Sequence, residues 1–182
     1  MKARSAALVS AAAAVMLAVS GCGGASTTAG GSTTVATVAQ QQAAPAGSGH
    51  GSCFDLNSDL AQAAIAKLAP APLGKWQTGQ ASDNPISAGC DGVLSWMEVS
   101  STINHPYTHL LFFTGGAYLG TATSEPYMYT QITGKTRNSV TLTYHWIKDN
   151  EAMCCPAGGP SVVTFTLNGT KVTADGQFPP HN

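Results

Sequence analysis

The chain has 182 residues, with eight Lys and Arg against nine Asp and Glu and a net charge of −1 when histidines are neutral. Charged residues are only 9% of the total, against about 25% in ordinary globular proteins. No basic stripe occurs, so a nucleic-acid partner has no electrostatic footprint here; the length suits one domain plus an extension.

Lys2 and Arg4 precede an apolar stretch from Ala6 to Val19, and the small residues Ser20 and Gly21 follow before Cys22. A positive start, an apolar run and small residues at a cleavage point are the layout of a secretory signal. The run is shorter than the ~20 residues that span a bilayer. Leu17-Ala18-Val19-Ser20-Gly21-Cys22 resembles a lipobox, the signal of bacterial lipoproteins. That resemblance implies removal of residues 1–21, diacylglycerol on the Cys22 thiol and anchoring on the extracytoplasmic side of the cell membrane. More than one acyl chain gives durable anchoring, where one chain is marginal. Loss of Lys2 and Arg4 would leave six basic against nine acidic residues, a net charge of −3.

Residues 22–52 are rich in Gly, Ser, Thr and Ala and contain no Asp, Glu, Lys, Arg or aromatic residue. Such a segment buries too little apolar area to offset its ordering entropy, so it is expected to be a flexible tether, with a single domain over 53–182. Asn57-Ser58-Asp59 is a run of N-cap residues. Leu60, Ala61, Ala64, Ile65 and Leu68 follow at helical spacing, and Pro70 and Pro72 end a helix of about three turns.

Strand patterns fill the rest. Gly92–Val99, Leu110–Thr114 and Ala117–Thr121 are apolar and β-rich, and Gly115-Gly116 between the last two signals a hairpin. Val140, Leu142, Tyr144 and Trp146 alternate with Thr141, Thr143 and His145, as Val163, Phe165 and Leu167 alternate with Thr164 and Thr166. Asn168-Gly169 predicts a type I′ turn into Lys171-Val172-Thr173. The expectation is an α+β fold: a mostly antiparallel meander of about five to six strands, one face wet, the other covered by the N-terminal helix.

The sequence has five cysteines. Besides Cys22 there are Cys53, Cys90, Cys154 and Cys155, an even number in an exported, disulfide-permissive compartment. Adjacent Cys154 and Cys155 point most simply to different partners, because a bridge between neighbours distorts its own peptide unit. A Cys53–Cys90 bridge beside a strained or unpaired 154/155 pair is the alternative. Neither the C-x₂₋₄-C spacing of zinc sites nor C-x-x-C occurs, so these residues read as structural. One bridge is expected to fix the helix against the sheet by tying Cys53 to Cys90 or to the Cys154-Cys155 loop.

The run His109-Leu110-Leu111-Phe112-Phe113-Thr114-Gly115-Gly116-Ala117-Tyr118-Leu119-Gly120-Thr121-Ala122-Thr123 resembles the central motif of the actinobacterial LppP/LprE lipoprotein family. The stretch from Cys90 to Trp96, the strand Ser139–Tyr144 and the hairpin Val163–Gly169 fit it as well, so the resemblance spans 53–177. It implies a surface lipoprotein. Its motifs are hairpin and core patterns, and only the lipidated Cys22 is carried over as a functional residue.

Motifs for chemistry are few. No G-x-S-x-G, H-E-x-x-H, GxGxxG or P-loop occurs. Asp149 and Glu151 read as a solvated loop. His105 and His109 have a metal-like spacing of four, yet Pro106 argues against a helix there; His109 opens a strand and His145 lies on a polar strand face, so exposed strand histidines are expected rather than a metal site. Trp96, Tyr107, Tyr118, Tyr144 and Trp146 are expected to pack between strands, with a sugar- or lipid-binding surface as the alternative. Tyr127-Met128-Tyr129 is a candidate contact loop, with folding back over the sheet edge as the alternative. Asn168-Gly169-Thr170 matches a glycosylation pattern that the hairpin already explains. The chain therefore reads as a non-enzymatic, lipid-anchored envelope lipoprotein with no cofactor, catalytic residue or metal. Its partner would be an envelope protein, lipid or glycan; the second reading is a carrier or sensor of an apolar ligand such as a lipid or glycolipid.

Overall fold

The computed structural model describes residues 43–180. The expected signal, Cys22 and the tether up to residue 42 lie outside the described residues. The helix α1 spans Asp59–Ile65. It starts as the sequence suggests: Ser58 is extended and its Oγ accepts the Ala61 N–H at 3.2 Å, and Asp59 sits in the first turn, where the helix dipole favours an anion. It stops at seven residues rather than three full turns. Lys67 and Leu68 donate backward to Ala64 and Ile65 in tighter turns, and Pro70 then blocks continuation.

Eight strands follow, in two four-stranded antiparallel meanders rather than one sheet of five or six strands. The first contains β1 (Trp76–Ala81), β2 (Ser95–Ser101), β3 (Thr108–Thr114) and β4 (Ala117–Thr121). The second contains β5 (Thr130–Lys135), β6 (Ser139–Trp146), β7 (Gly158–Asn168) and β8 (Lys171–Gly176). The two strands absent from the sequence reading are β1 and β5. Both are edge strands: β1 exposes four central residues, and β5 is interrupted by a register shift between Ile132 and Gly134, so neither carries a clean apolar period.

The elements stack in three layers. Phe54, Ala61 and Ala64 pack on Met97, Val99, Leu111 and Phe113 of the first sheet. From the opposite face of that sheet, Leu94, Trp96, Leu110 and Phe112 meet Val140, Leu142, Tyr144, Val163, Phe165 and Leu167 of the second. The outer face of the second sheet is polar, with Thr141 and Thr164 hydroxyls 3.0 Å apart and those of Thr133 and Thr143 2.9 Å apart.

Turn chemistry differs from expectation at one hairpin. Gly115 and Gly116 link Thr114 to Ala117 with φ of 53° and 81°, the type I′ pattern. In the β7–β8 hairpin Asn168 pairs with Lys171, so the loop is Gly169-Thr170, and positive φ occurs at Gly169 alone, at 64°. That is the type II′ pattern, one residue later than the I′ turn expected at Asn168-Gly169.

The ordered domain also begins before Cys53. The Gly47 carbonyl accepts the Asp55 N–H at 2.7 Å, the Gly51 carbonyl accepts the Ile86 N–H at 2.9 Å, and Ser52 bridges Pro85. Main-chain groups supply these contacts, which is why a segment without large side chains gave no hint of them. Cys53 is bonded to Cys90, 37 residues away, tying the approach to α1 to the loop before β2. Cys154 and Cys155 are bonded to each other. Of the two arrangements left open by the sequence, it is therefore the one with Cys53–Cys90, and different partners for the adjacent pair are not found.

Candidate aromatic cleft at Trp76, His109 and Tyr118

Because α1 ends at Ile65, the irregular segment after it, rather than a further helical turn, stands over the helix-side face of β3. Trp76 opens β1, and its indole N–H donates to the Ala69 carbonyl at 2.7 Å, fixing the ring against that segment. On β3, His109 alternates with the buried Leu111 and Phe113 and so shares their face. Its ring centroid lies 5.5 Å from that of Trp76. Tyr118 on β4 lies 5.4 Å from Phe113, and the Lys67 ammonium sits 5.3 Å from the Tyr118 ring centroid, within cation–π range. Lys67, Ala69, Trp76, His109 and Tyr118, together with Glu125 and Pro126, line a cleft of about 360 Å³.

Electrostatics at the cleft floor are set by burial. His109 is only 6% exposed, and desolvation holds its pKa down to about 4, so the imidazole is neutral at pH 7. Its Nδ1 is buried without a hydrogen-bond partner. An orphaned N–H is costlier than a bare lone pair in that position, which places the proton on Nε2 and makes Nε2–H the ring's donor. Burial also raises the Tyr118 phenol above its ordinary range, keeping it protonated. The walls are thus aromatic, the floor is neutral and polar, and both charged groups, Lys67 and Glu125, are on exposed residues.

A larger hollow of about 560 Å³ lies beside Cys90, Ile86 and Pro45. Its lining, which includes Ile86 and Asp91 among smaller residues, offers no aromatic wall.

The remaining candidate residues scatter. The His105 ring lies tilted at 5.6 Å from Tyr129, and the Tyr129 hydroxyl donates to the Met153 carbonyl. His145 is half-buried on β6. His109 is buried rather than exposed, correcting the expectation for it. Among the described residues no group of three or more His, Cys, Asp and Glu side chains could hold a metal ion. Trp96 and Tyr144 are core residues. Tyr127 belongs to that core too, 5.5 Å edge-on to Tyr144, so it is no exposed loop contact. Tyr144 has a buried, unpartnered hydroxyl, and burial drives its pKa strongly upward. Trp146 and Tyr107 are half-buried.

The loop holding Asp149 is stapled by Glu151, whose carboxylate accepts the Lys148 and Ala157 N–H groups at 2.9 and 3.0 Å. Those two bonds lower its pKa. Cys154 and Cys155 are exposed in the same loop. Trp76 had no signal in the sequence beyond being a tryptophan just after a proline-rich helix stop.

Among the described residues no helix is long and apolar enough to cross a membrane. No curated protein matches the chain, and no solved structure does. The family match is narrower than the resemblance over 53–177: it begins at Cys90, runs through β2 to β7, includes His109, Tyr118 and Glu125, and leaves α1 and Trp76 outside. Over residues 90–170 the chain matches the LppP/LprE lipoprotein family.

Proposed function

We propose that this chain is a lipid-anchored envelope lipoprotein whose domain is a non-enzymatic binding module working through the Trp76–His109–Tyr118 cleft. The anchoring half is supported by the lipoprotein family match and by the lipobox ending at Cys22. The observation that carries the binding half is His109: a neutral, buried imidazole that lines an aromatic cleft beside Trp76. A catalytic imidazole is usually oriented by a carboxylate or carbonyl on Nδ1, and His109 Nδ1 has no such partner. That supports holding a ligand over transforming one. A ligand under the helix would have to displace Phe54, Ala61 and Ala64 from Met97 and Leu111, so an apolar ligand would also use the cleft.

Two measurements test the two halves. Cys22→Ala should move the protein out of the detergent phase of fractionated cells; retention there after signal cleavage would refute lipidation at Cys22. Native mass spectrometry of the full chain extracted from its host should show a co-purifying small molecule that Trp76→Ala removes. An adduct indifferent to Trp76, or none, would count against the cleft.

A further inference from the structure

We infer that the cleft is a saccharide site, holding an uncharged sugar ring with its C–H face on Trp76 and its hydroxyls on His109, Lys67 and Glu125; this rests on the binding-module reading above. The first argument is charge. One ammonium and one carboxylate line the cleft, both on exposed residues, and the floor is a neutral imidazole. A ligand of fixed charge would meet no net opposite charge and would be desolvated against a neutral floor. The second argument is the pairing of surfaces. Trp76 offers a flat aromatic wall, which suits an apolar face. His109 Nε2–H, the ammonium and the carboxylate offer two donors and an acceptor, and these suit hydroxyls, which both donate and accept. A sugar ring carries an apolar C–H face and a belt of hydroxyls in one rigid body.

An acyl chain would use the walls and leave the His109 donor buried and unpaired. The volume, about 360 Å³, lies at the lower end of the ~300–1,000 Å³ of small-molecule sites, which suits a short saccharide better than a long lipid.

The test is saturation-transfer NMR on the full chain held in amphipathic polymer. The probes are N,N′-diacetylchitobiose, methyl α-mannoside and methyl arabinofuranoside, with a fluorinated fatty acid as the rival class. At least one saccharide should receive saturation, strongest on the protons of one ring face. Trp76→Ala and His109→Leu should each weaken it about tenfold, the loss of roughly one good contact. His109→Gln, which restores an amide N–H near the Nε2 position, should remain within about threefold of the parent protein. Lys67→Met and Glu125→Gln lie on exposed residues and keep the test decisive if a core variant fails to fold; each should also weaken the saccharide. If only the fatty acid binds, and does so through Trp76, the saccharide assignment falls while the binding cleft stands. If no probe depends on Trp76 or Lys67, both fall.

Discussion

The two sheets solve different burial problems with the same antiparallel meander. The first is covered on both faces: all seven residues of β2 except Glu98 are buried, and all of β3 except Thr114. The second is covered on one face, so β6 alternates between half-buried and buried residues from Ser139 to Tyr144. A sheet with two covered faces is where a gap in the cover becomes a cleft. That gap arises where α1 stops and Trp76 begins, and it leaves His109 as the polar residue among Leu111 and Phe113 on that face of β3. The second sheet, already wet, presents threonines that hydrogen-bond one another.

The largest expected contrast is between side chains on the two kinds of face. Leu111 is fully buried between Met97 and the helix layer, so Leu111→Ala should cost about 2–5 kcal/mol. Thr164→Ala on the open face should stay within about 0.5 kcal/mol, less its 3.0 Å hydroxyl contact with Thr141. Urea denaturation midpoints measure both. Equal costs would mean that the outer face of the second sheet is covered as well.

The same difference explains what the sequence disclosed. In β6 and β7 one covered face produces a period of two, and Val140, Leu142, Tyr144, Val163, Phe165 and Leu167 are core residues as that period predicts. In β3 two covered faces produce the continuous run His109–Phe113, which shows a strand but not what lies on either side. One sheet and two sheets therefore read alike. The edge strands β1 and β5 were illegible because solvent and a register shift erase their pattern. The cleft was illegible because its members come from the turn after α1, from β1, β3 and β4, and no spacing links Trp76 to His109. The main-chain docking of residues 47–52 left no side-chain signal at all.

Next in size are the two disulfides. Cys53–Cys90 closes a loop with a separation of 37 residues, and chain-entropy estimates for such a loop are about 4 kcal/mol. The double variant Cys53→Ser, Cys90→Ser should lose about 2–4 kcal/mol. The Cys154–Cys155 link spans one peptide bond in an exposed loop and constrains little of the unfolded chain. Replacing that pair with serines should leave the midpoint close to the parent value. A large loss there, or none at Cys53–Cys90, would reverse the assignment of which bridge braces the fold.

His109 gives the cleft a pH signature. Its pKa falls from 6.5 to about 4 on folding because burial disfavours the imidazolium. Above pH 6.5 both states are neutral and the group has no effect. As pH falls toward 4 the unfolded chain takes up a proton that the folded chain refuses, so stability declines, by roughly 3 kcal/mol at most. Asp83 and Glu151 have lowered pKa values and lose their contributions further down, so the informative quantity is the difference between the parent protein and His109→Gln. That difference should grow between pH 6.5 and 4 and then level off. A flat difference would mean that the ring is solvated in the folded protein.

The smallest effect concerns the join between the sheets. Asp83, in the connection between β1 and β2, accepts from the Lys135 ammonium at 2.9 Å, at the end of β5. Lys135 lowers the Asp83 pKa, first through that hydrogen bond, so the contribution is present above the ordinary carboxylate range and fades as pH falls through the lowered value. Yet the two side chains are 76% and 51% exposed, and exposed pairs typically add only ~0.2–1 kcal/mol. The join has stronger supports: Arg137 donates to the carbonyls of Ala88, Gly89 and Asp91, the Leu94 N–H donates to the Arg137 carbonyl, and Phe112 lies 5.1 Å from Phe165. Asp83→Asn should therefore cost no more than about 0.5 kcal/mol, and that small cost should vanish at 1 M salt, where screening acts over ~3 Å. A salt-sensitive loss above about 1 kcal/mol would show that the sheets are held at their rim by charge as much as by the apolar layer between them.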